Sequence, residues 1–500
     1  MPTEDSRQLR FERRIVTTTV MATTFMAILD STIVNIALPQ MQGSLSATQD
    51  QITWVLTGYI VALAVATPLG GALSARLGRK RVIALAVLGF TLASVMCGAA
   101  SSLSQIVLFR VLQGFFGAAL VPLSQAILLD LYPREKHGFA MAVWGVGVVF
   151  APVLGPTLGG ILTEFYNWRW IFYINVPVGV AALCGILAYV RETDRRNSQD
   201  FDYFGFIFLG VAIGAFQLML DRGESLDWFA STEIVVEATL AGLSFYMFLV
   251  HTITTRHPFI PLAMFRDRNF VASVVTIFMI STIHLGALAL LPPFLQQLLD
   301  YPVLTAGYVL APRGLGTMTG IILATRLATK LDMRLLVFCG LVLNIVALWE
   351  LSHFSLEVPT DLIVRTGLIQ GLGLGFIFVP MTTLAFATLP SSLRDEATAM
   401  FNLLRNLGSS VGISIWITLL VRNTTTNHAA LAEHLSPFRD ALQHPLLPGA
   451  WEWRLPSGVL ALNAEVTRQA GALAYVGDFQ LMMWVTVICA LPVLLLRKSP

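Results

Sequence analysis

The sequence is poor in charged residues, which make up only 12% of its 500 positions. Ordinary soluble domains carry about twice that share. Hydrophobic residues reach 55% and the mean hydropathy is +0.71. This composition excludes an ordinary soluble protein and predicts one that lies in a membrane.

Cysteine is also scarce. All four cysteines, Cys97, Cys184, Cys339 and Cys489, fall within long apolar stretches. Their spacing excludes a CxxC metal or redox site and implies no disulfide framework. We therefore expect small packing residues here, and neither a metal nor a cofactor.

Motifs for several kinds of chemistry are missing as well. The sequence has no GxxxxGK[ST] loop, which excludes a built-in ATPase drive, and it has no metal-ligand cluster or nucleophile–base pair. We therefore expect no enzyme activity. Basic residues are spread over many gaps instead of forming one patch, so we expect no nucleic-acid partner. We also expect no cleavable signal peptide, because the first apolar run is too long for one.

Long apolar stretches dominate what is present. About 20 apolar residues cross a ~30 Å hydrocarbon core as a helix, whereas barrel strands are shorter and alternate in polarity. The sequence therefore predicts an all-α, multi-spanning membrane protein. Fourteen stretches are predicted to span: 15–38, 51–75, 82–100, 103–129, 138–163, 170–190, 203–221, 232–252, 269–298, 303–325, 335–353, 361–389, 397–421 and 478–496.

Basic residues avoid every second gap between these stretches. Of the 32 Lys and Arg, 22 lie at the termini or in the even-numbered gaps, and only six lie in the other gaps. Because Lys and Arg near helix ends are retained on the cytoplasmic side, both termini are predicted to be cytoplasmic. The remaining four, Arg110, Arg313, Arg365 and Arg405, fall inside apolar stretches.

One pattern occurs twice. Gln-Gly, Val-Pro and a final Pro in the fourth stretch recur in the twelfth at offsets of 257 or 258 residues, beginning at Gln113 and Gln370. A constant offset predicts two homologous halves, as in transporters built from repeats. The predicted organisation is a tail (1–14), a six-helix bundle (15–190), a linker (191–202), two inserted helices (203–252), a loop (253–268) and a second six-helix bundle (269–500).

The gap at 422–477 is unusually long and is predicted to be extracytoplasmic. It contains two helical patterns, around 428–434 and 459–474, which favour a folded hairpin at the outer surface over simple disorder. Three histidines, His428, His434 and His444, lie in this gap. Metal binding is disfavoured, because no spacing places all three on one helical face.

Asp30 and Arg110 are the strongest candidates for function. An ionised side chain in mid-membrane costs ~2.5–3.5 kcal/mol and is normally paired, solvated or functional. Asp30 lies about 12 Å and Arg110 about 10 Å from the same side, by the helical rise. Two interpretations stay open. The carboxylate alternates between protonated and ionised forms, as proton-coupled exchange requires, or the two residues form a fixed ion pair that holds two helices together.

Other polar residues within the stretches are candidates for a substrate cavity. A cavity lined only by internal cations would suit anions, but Asp30 leaves its polarity undecided. Some of these side chains can equally well hydrogen-bond between helices. The candidates are Asn35, Gln113, His284, Arg313, Gln370 and Arg405.

Small residues and prolines are concentrated in the fifth stretch, at Gly155, Pro156, Gly159 and Gly160. Such residues let helix backbones approach closely, and proline allows a bend. They are expected either to seal an interface between the halves or merely to pack.

These residues resemble the major facilitator superfamily, and within it the 14-helix drug:proton antiporters of the EmrB/QacA type, along nearly the whole chain. Residues 29–39 are similar to the first-helix signature, 110–114 to the fourth-helix motif and 151–160 to the fifth-helix antiporter motif. Residues 168–177 resemble a marker of the 14-helix branch, and 220–229, 330–334 and the loop at 422–477 look EmrB-like. The resemblance implies a role in proton coupling for Asp30 and Arg110.

Residues 71–80 resemble the superfamily's cytoplasmic gating motif, with one departure. Gly71, Arg76, Gly78 and Arg79 fit it, but Ala75 stands where Asp is typical. The usual charge relay therefore lacks its carboxylate. We expect Arg76 and Arg79 to cap a helix C-terminus across the interface.

The resemblance implies a proton-coupled antiporter that exports hydrophobic or amphipathic compounds across the bacterial inner membrane. It would be the permease of a tripartite pump, with a periplasmic membrane-fusion adaptor contacted through 422–477 and an outer-membrane channel. A proton-coupled importer and a non-transporting receptor or scaffold remain as alternatives.

Overall fold

The computed structural model describes residues 4–192, 201–435 and 455–496. These residues form helices and no strand, so the all-α prediction is confirmed. The α-helices are α1 (Glu4–Ser44), α2 (Gln49–Leu77), α3 (Arg79–Ala99), α4 (Leu103–Gly117), α5 (Leu120–Leu131), α6 (His137–Phe165), α7 (Trp170–Tyr173), α8 (Asn175–Tyr189), α9 (Tyr203–Arg222), α10 (Thr232–Thr254), α11 (Arg268–Pro293), α12 (Val303–Leu327), α13 (Met333–Leu351), α14 (Thr360–Ala387), α15 (Arg394–Ala432), α16 (Pro456–Ile488) and α17 (Ala490–Leu494).

Twelve helical segments of the described chain are long and apolar enough to cross a membrane. Four of them are made of two consecutive helices: α4 with α5, α7 with α8, α16 with α17, and α11 with the π-helical turn Phe294–Leu298. Helices α6 and α12, with 29 and 25 residues, coincide with the fifth and tenth predicted stretches but are not among the twelve. The count of fourteen spans therefore stays a prediction.

Helix starts follow from side chains that satisfy the first free backbone N–H groups. Thr48 and Gln51 form a reciprocal capping box at α2, and Ser102 caps α4. Aspartates do the same for α9, α11 and α13: Asp202, Asp267 and Asp332. Gly78, between α2 and α3, has a φ of +93°, which L side chains rarely adopt, and this explains why glycine occupies that position.

The predicted helical patterns in the long gap exist, but they do not form a separate hairpin. Helix α15 continues without a break to Ala432, and α16 begins at Pro456, well before the predicted span at 478. Helix α1 likewise begins at Glu4, so much of the predicted tail is helical. Ala- and Leu-rich sequence favours helix in water as well as in lipid, so hydropathy alone misses these extensions. Residues 436–454, and His444 with them, lie outside the described part.

We call α1–α8 the N-half and α11–α17 the C-half. The end of the bundle at Arg79 and Arg394 is called the basic end. One hydrophobic core joins the two halves there, with N-half residues such as Ile127 and Trp144 in the same cluster as Phe378 and Phe401. Towards the other end the N-half has a separate core, and a further core belongs to the C-half alone. The halves are therefore closed against each other at the basic end.

The predicted inserted pair is α9 and α10, which pack on each other. Helix α9 also lies along the seam between α2 and α15. Gln217 donates to Ser410 Oγ at 3.0 Å, and Ser414 Oγ donates to the carbonyl oxygen of Leu220 at 3.0 Å. Thr57 of α2 donates to Asp221 at the end of α9. The insertion thus ties the two halves together.

Candidate functional site

Asp30 of α1 and Arg110 of α4 meet in the interior of the N-half. Arg110 Nη1 donates to Asp30 Oδ2 at 2.6 Å, and neither side chain has any solvent exposure. Arg110 Nε also donates to the Val55 carbonyl oxygen of α2 at 3.1 Å. The predicted pairing of a carboxylate and a guanidinium at one depth is therefore what the structure contains.

Two amides complete the shell around Asp30. Asp30 Oδ1 accepts from Gln113 Nε2 at 2.9 Å and from Asn175 Nδ2 at 2.7 Å. Gln113 Oε1 accepts in turn from Arg110 Nη1 at 2.8 Å, and Asn175 donates to Ser94 Oγ at 2.9 Å. Helices α1, α4 and α8 thereby converge on one carboxylate, and α3 joins the network through Ser94. Gln113 belongs to this charged cluster, although it was predicted in a substrate cavity.

Aromatic rings shield the pair from water. The Arg110 guanidinium carbon lies 4.0 Å from the ring centroid of Tyr59 and 5.8 Å from that of Phe172. Arg110 Nη2 is buried with no hydrogen-bond partner. A charge pair removed from water interacts strongly, so a change in either charge would disturb every helix in contact with it. This arrangement can register the protonation of one carboxylate as a change in helix packing.

Asn35 is not part of this cluster. Its side chain is exposed and donates only to the Thr32 carbonyl oxygen of its own helix, at 3.4 Å. The other predicted cavity residues lie in the C-half. Arg313 Nη2 contacts His284 Nδ1 at 3.0 Å, Gln370 is 1% exposed, and Arg405 lies over the ring of Trp144 at 5.7 Å.

Gly155 and Gly159 of the fifth stretch pack within the N-half. A Cβ atom at Gly155 would lie 2.3 Å from Thr32 Oγ1, and one at Gly159 would lie 3.0 Å from the Ile33 carbonyl oxygen, both on α1. A Cβ at Gly160 would meet nothing within 4 Å. The side chain of Pro156 is outside the described part. Gly145, nearer the start of the same helix α6, faces Phe378 of the other half.

The gating motif at the basic end carries a charge cluster that bridges the halves. Arg79 Nη1 lies 2.6 Å from Asp130 Oδ2, and Arg79 Nη2 lies 2.5 Å from Asp395 Oδ1. Ser74 Oγ donates to Asp395 Oδ2 at 2.5 Å, and Arg394 pairs with Asp130. Two positive and two negative residues are thus balanced across the interface.

A carboxylate lies at the gating motif even though position 75 is alanine. Position 75 has no carboxylate, but Asp395, at the start of α15, brings one to Arg79 and Ser74 from the C-half. Gly71 makes the approach possible, because a Cβ there would lie 2.9 Å from the Asp395 carbonyl oxygen. Arg79 therefore binds Asp130 of its own half and Asp395 across the seam, and Arg76 lies over the ring of Phe201 at 5.0 Å.

Sequence reasoning missed Asn175, Tyr59, Asp130 and Asp395 as members of these clusters. An amide within an apolar stretch was the available signal for Asn175. Asp130 and Asp395 stand at helix ends, where carboxylates are common and carry little signal. Among the described residues no group of three His, Cys, Asp or Glu is placed to hold a metal, and His428 instead contacts Asn463 at 3.0 Å.

A helical bundle of two related halves, with a buried carboxylate–guanidinium pair in one of them, is typical of secondary transporters. The chain belongs to the major facilitator superfamily, whose sequence profile matches residues 20–413. It is therefore a multi-pass inner-membrane transporter and not an enzyme.

The chain is similar to several bacterial proteins over most of its length. Multidrug export protein EmrB of Escherichia coli (strain K12) is 36% identical over 431 residues, which are 86% of this chain and 84% of that protein. Probable multidrug resistance protein EmrY of the same strain is 36% identical over 459 residues, 91% and 90% of the two chains. Fatty acid resistance protein FarB of Neisseria gonorrhoeae is 34% identical over 477 residues, 95% and 94%.

Solved structures confirm the fold. The human organic anion transporter MFSD10 aligns with a TM-score of 0.59 at 16% identity, covering 95% of this chain and 99% of that one. The proton:xylose symporter XylE aligns with the same TM-score at 13% identity, covering 95% and 96%. At these identities the likeness shows the fold alone.

Proposed function

We propose that this protein is a proton-coupled antiporter that exports hydrophobic or amphipathic drugs and toxic compounds. The observation that carries the proposal is the buried carboxylate of Asp30, held by Arg110, Gln113 and Asn175. Similarity to multidrug export proteins along most of the chain supports the direction of transport. It also favours export over the proton-coupled importer and over a non-transporting receptor.

In this proposal Asp30 is ionised in the conformation described, where Arg110 neutralises it. Opening of the N-half to the outer side hydrates the carboxylate and allows a proton to bind. Protonation weakens the bond to Arg110 Nη1, and the freed guanidinium takes up other acceptors. The helices that meet at Asp30 then rearrange, which couples proton uptake to the change of access.

The energy available from protons is sufficient. Each charge that moves inward contributes ~2.3 kcal/mol per 100 mV, and each pH unit adds ~1.36 kcal/mol. One proton under ordinary gradients therefore sustains a roughly hundredfold substrate gradient, since 1.4 kcal/mol corresponds to a factor of about ten. This estimate applies to a substrate that moves without net charge.

We further propose fourteen spans in a 6 + 2 + 6 arrangement with both termini cytoplasmic. The distribution of Lys and Arg supports this orientation, and helices α6 and α12 have the lengths that the two additional spans need. The basic end is then cytoplasmic, and the structure corresponds to an outward-facing state.

The helical extensions beyond the membrane are proposed to contact a periplasmic membrane-fusion adaptor that leads to an outer-membrane channel. They comprise the outer part of α15, up to Ala432, and of α16, from Pro456. Their pairing is stabilised by His428 with Asn463 and by Asn427 with the Ala470 carbonyl oxygen. A rigid outward projection is a suitable surface for such a partner.

The decisive experiment uses purified protein in proteoliposomes with an imposed pH gradient. The wild-type protein is expected to move a hydrophobic fluorescent dye against its gradient, and a protonophore should abolish this movement. Asp30→Asn keeps the shape of the side chain and removes its charge, so gradient-driven transport should fall at least tenfold. Counterflow of the dye without a pH gradient should persist in the variant.

Glu233→Gln is the matched control, because Glu233 is an exposed carboxylate paired with Arg222. It should transport like the wild type. Full proton-driven transport by a well-inserted Asp30→Asn protein would contradict the assignment of coupling to Asp30. Transport in proteoliposomes without efflux from cells would indicate that the cellular adaptor is missing.

A further inference from the structure

The two halves carry corresponding clusters of polar residues with different charge. Gly114 on α4 and Gly371 on α14 are equivalent in the internal repeat. A Cβ at Gly114 would lie 2.4 Å from the Tyr59 carbonyl oxygen, and one at Gly371 would lie 2.0 Å from the Arg313 carbonyl oxygen. Helix α12 therefore packs on α14 as α2 packs on α4, and Arg313 stands in the C-half where Tyr59 stands in the N-half.

The buried arginine lies on non-equivalent helices in the two halves, Arg110 on α4 and Arg313 on α12. The repeat aligns Arg110 with Gly367, and the Arg313 Cβ is 3.7 Å from the place of a Cβ at Gly367. Arg313 thus brings a guanidinium from α12 into the region that Arg110 reaches from α4. Gln370 corresponds to Gln113, and His284 comes from α11, the counterpart of α1. The carboxylate has no counterpart in this cluster.

The hydrogen-bonding capacity of the C-half cluster is largely unused. Arg313 is 5% exposed, and its Nε and Nη1 atoms have no hydrogen-bond partner. Gln370 is 1% exposed, and neither its nitrogen nor its oxygen has a partner. Arg313 Nη2 is used, because it contacts the ring nitrogen of His284 and the His284 carbonyl oxygen at 3.0 and 3.3 Å.

No carboxylate of the described chain forms an ion pair with Arg313. Two buried or half-buried acidic residues of the C-half have other partners: Glu350 pairs with Arg365, and Asp478 accepts from Asn423. A buried guanidinium without a counter-charge is unfavourable, and it gains strongly from an anion that binds it. The N-half cluster is balanced in charge, whereas the C-half cluster lacks one negative group.

We propose that His284, Arg313 and Gln370 form a binding site for the acidic group of an amphipathic organic anion. This proposal rests on the proposed transport function and specifies one substrate class for it. The carboxylate of the ligand accepts from Arg313 and from Gln370 Nε2, and the contact of His284 with Arg313 Nη2 holds the guanidinium in place. The ligand supplies in the C-half the charge that Asp30 supplies in the N-half.

A second cation lies on the way to the basic end. Arg405 Nη1 is buried without a hydrogen-bond partner, and its guanidinium lies over Trp144, which is stacked on Phe378. Phe378 is eight residues beyond Gln370 on α14, about 12 Å along the helix. Two uncompensated guanidinium groups at different depths attract an anion along the transport direction and repel a cation.

The test measures equilibrium binding to the purified full-length protein in lipid nanodiscs. The probes are 1-pyrenebutyrate, its uncharged amide 1-pyrenebutanamide, and a pyrenebutyl-trimethylammonium cation. The wild-type protein is expected to bind the carboxylate at least tenfold more tightly than the other two. Arg313→Gln should weaken binding of the carboxylate by roughly tenfold or more and leave binding of the amide unchanged.

Arg365→Gln is the matched control, because it removes an arginine of α14 whose side chain is exposed and paired with Glu350. It should bind all three probes like the wild type. If Arg313→Gln does not fold, Gln370→Met removes the amide and keeps the volume, and it should weaken carboxylate binding several-fold. Equal affinity of the wild type for the three probes, or unchanged carboxylate binding by both variants, would overturn the proposal.

The variant Asp30→Asn distinguishes the anion-site proposal from the proposed antiport function. It should bind 1-pyrenebutyrate like the wild type while its proton-driven transport is lost. Proton-driven export of a neutral dye without any preference for the carboxylate overturns the anion site alone. Selective carboxylate binding by a protein that performs no proton-driven transport supports the site and contradicts the antiport mechanism.

Discussion

Asp30 is held by hydrogen bonds to both of its oxygens and has no contact with water. Its partners are of two kinds, a charge on α4 and amides that remain neutral throughout. When the carboxylate is protonated, the bond to Arg110 loses most of its strength, whereas the amides can still donate to a neutral carboxyl oxygen. At the residue scale, therefore, the guanidinium is the group that responds to the proton.

The dependence of the Asp30 cluster on the guanidinium of Arg110 predicts the effect of Arg110→Lys. Lysine keeps the charge, but it cannot donate at once to Asp30, Gln113 and the Val55 carbonyl oxygen, as Arg110 does. We expect gradient-driven transport in proteoliposomes to fall at least tenfold, with only a modest loss of thermal stability. Arg365→Lys, at an exposed pair, should transport normally. A fully active Arg110→Lys protein would show that charge alone is sufficient.

At the scale of elements, close helix contacts at glycine position the polar clusters. Helices α12 and α14 touch backbone to backbone at Gly371, where a Cβ would lie 2.0 Å from the Arg313 carbonyl oxygen. One turn away a Cβ at Gly367 would make an ordinary contact of 3.7 Å with Arg313 Cβ. The two positions share a helix and a partner, and they differ only in the space available.

Gly371→Ala is therefore expected to force α14 away from α12 and to destabilise the protein by about 1–3 kcal/mol. Gly367→Ala should be almost neutral. Thermal unfolding of both variants in the same detergent, followed by intrinsic fluorescence, measures the difference. Equal melting temperatures for Gly371→Ala and the wild type would mean that the two helices can separate locally without loss of packing.

At the scale of the whole molecule, the charge cluster at the basic end closes one side of the transporter. Arg79 and Asp130 belong to the N-half, and Asp395 and Arg394 belong to the C-half. Every bond from Arg79 to Asp395 must break before the halves separate at this end. The cluster therefore stabilises the conformation in which the basic end is closed.

Asp395→Asn should shift the protein towards the conformation that is open at the basic end. Removal of one partner of a buried ion pair costs about 3–5 kcal/mol, enough to change the ratio of two conformations by more than a hundredfold. Electron–electron distance measurements between spin labels at Leu77 and Leu331, in a cysteine-free background, should show a longer distance. Both positions are exposed, at 45% and 42%.

A second variant tests whether the carboxylate or its position matters. Ala75→Asp combined with Asp395→Asn moves the negative charge from the C-half to the position where the superfamily's motif carries it. We expect the double variant to recover part of the closed population. Identical distance distributions for the wild type and Asp395→Asn would show that the hydrophobic core at this end is sufficient for closure.

Individual residues show how far the sequence could predict the site. Asp30 and Arg110 were predicted to lie at one depth, because the helical rise converts sequence distance from a span end into depth. Asn175 was not assigned to them, since depth does not reveal which helices are neighbours. The glycines at 155 and 159 were expected at an interface, but the pattern could not distinguish a partner in the same half from one in the other.

The sequence by itself determined the all-helical membrane class, most of the helix positions, the two related halves and the two residues of the buried pair. These follow from hydropathy, periodicity and repetition, which are properties of short segments and their spacing. Only the tertiary structure decided that Asp395 pairs with Arg79 from the other half, that α9 lies along the seam, and that Arg313 occupies the place of Tyr59. Each of these depends on contacts between segments far apart in the chain, and such contacts are determined by the packing of the whole bundle.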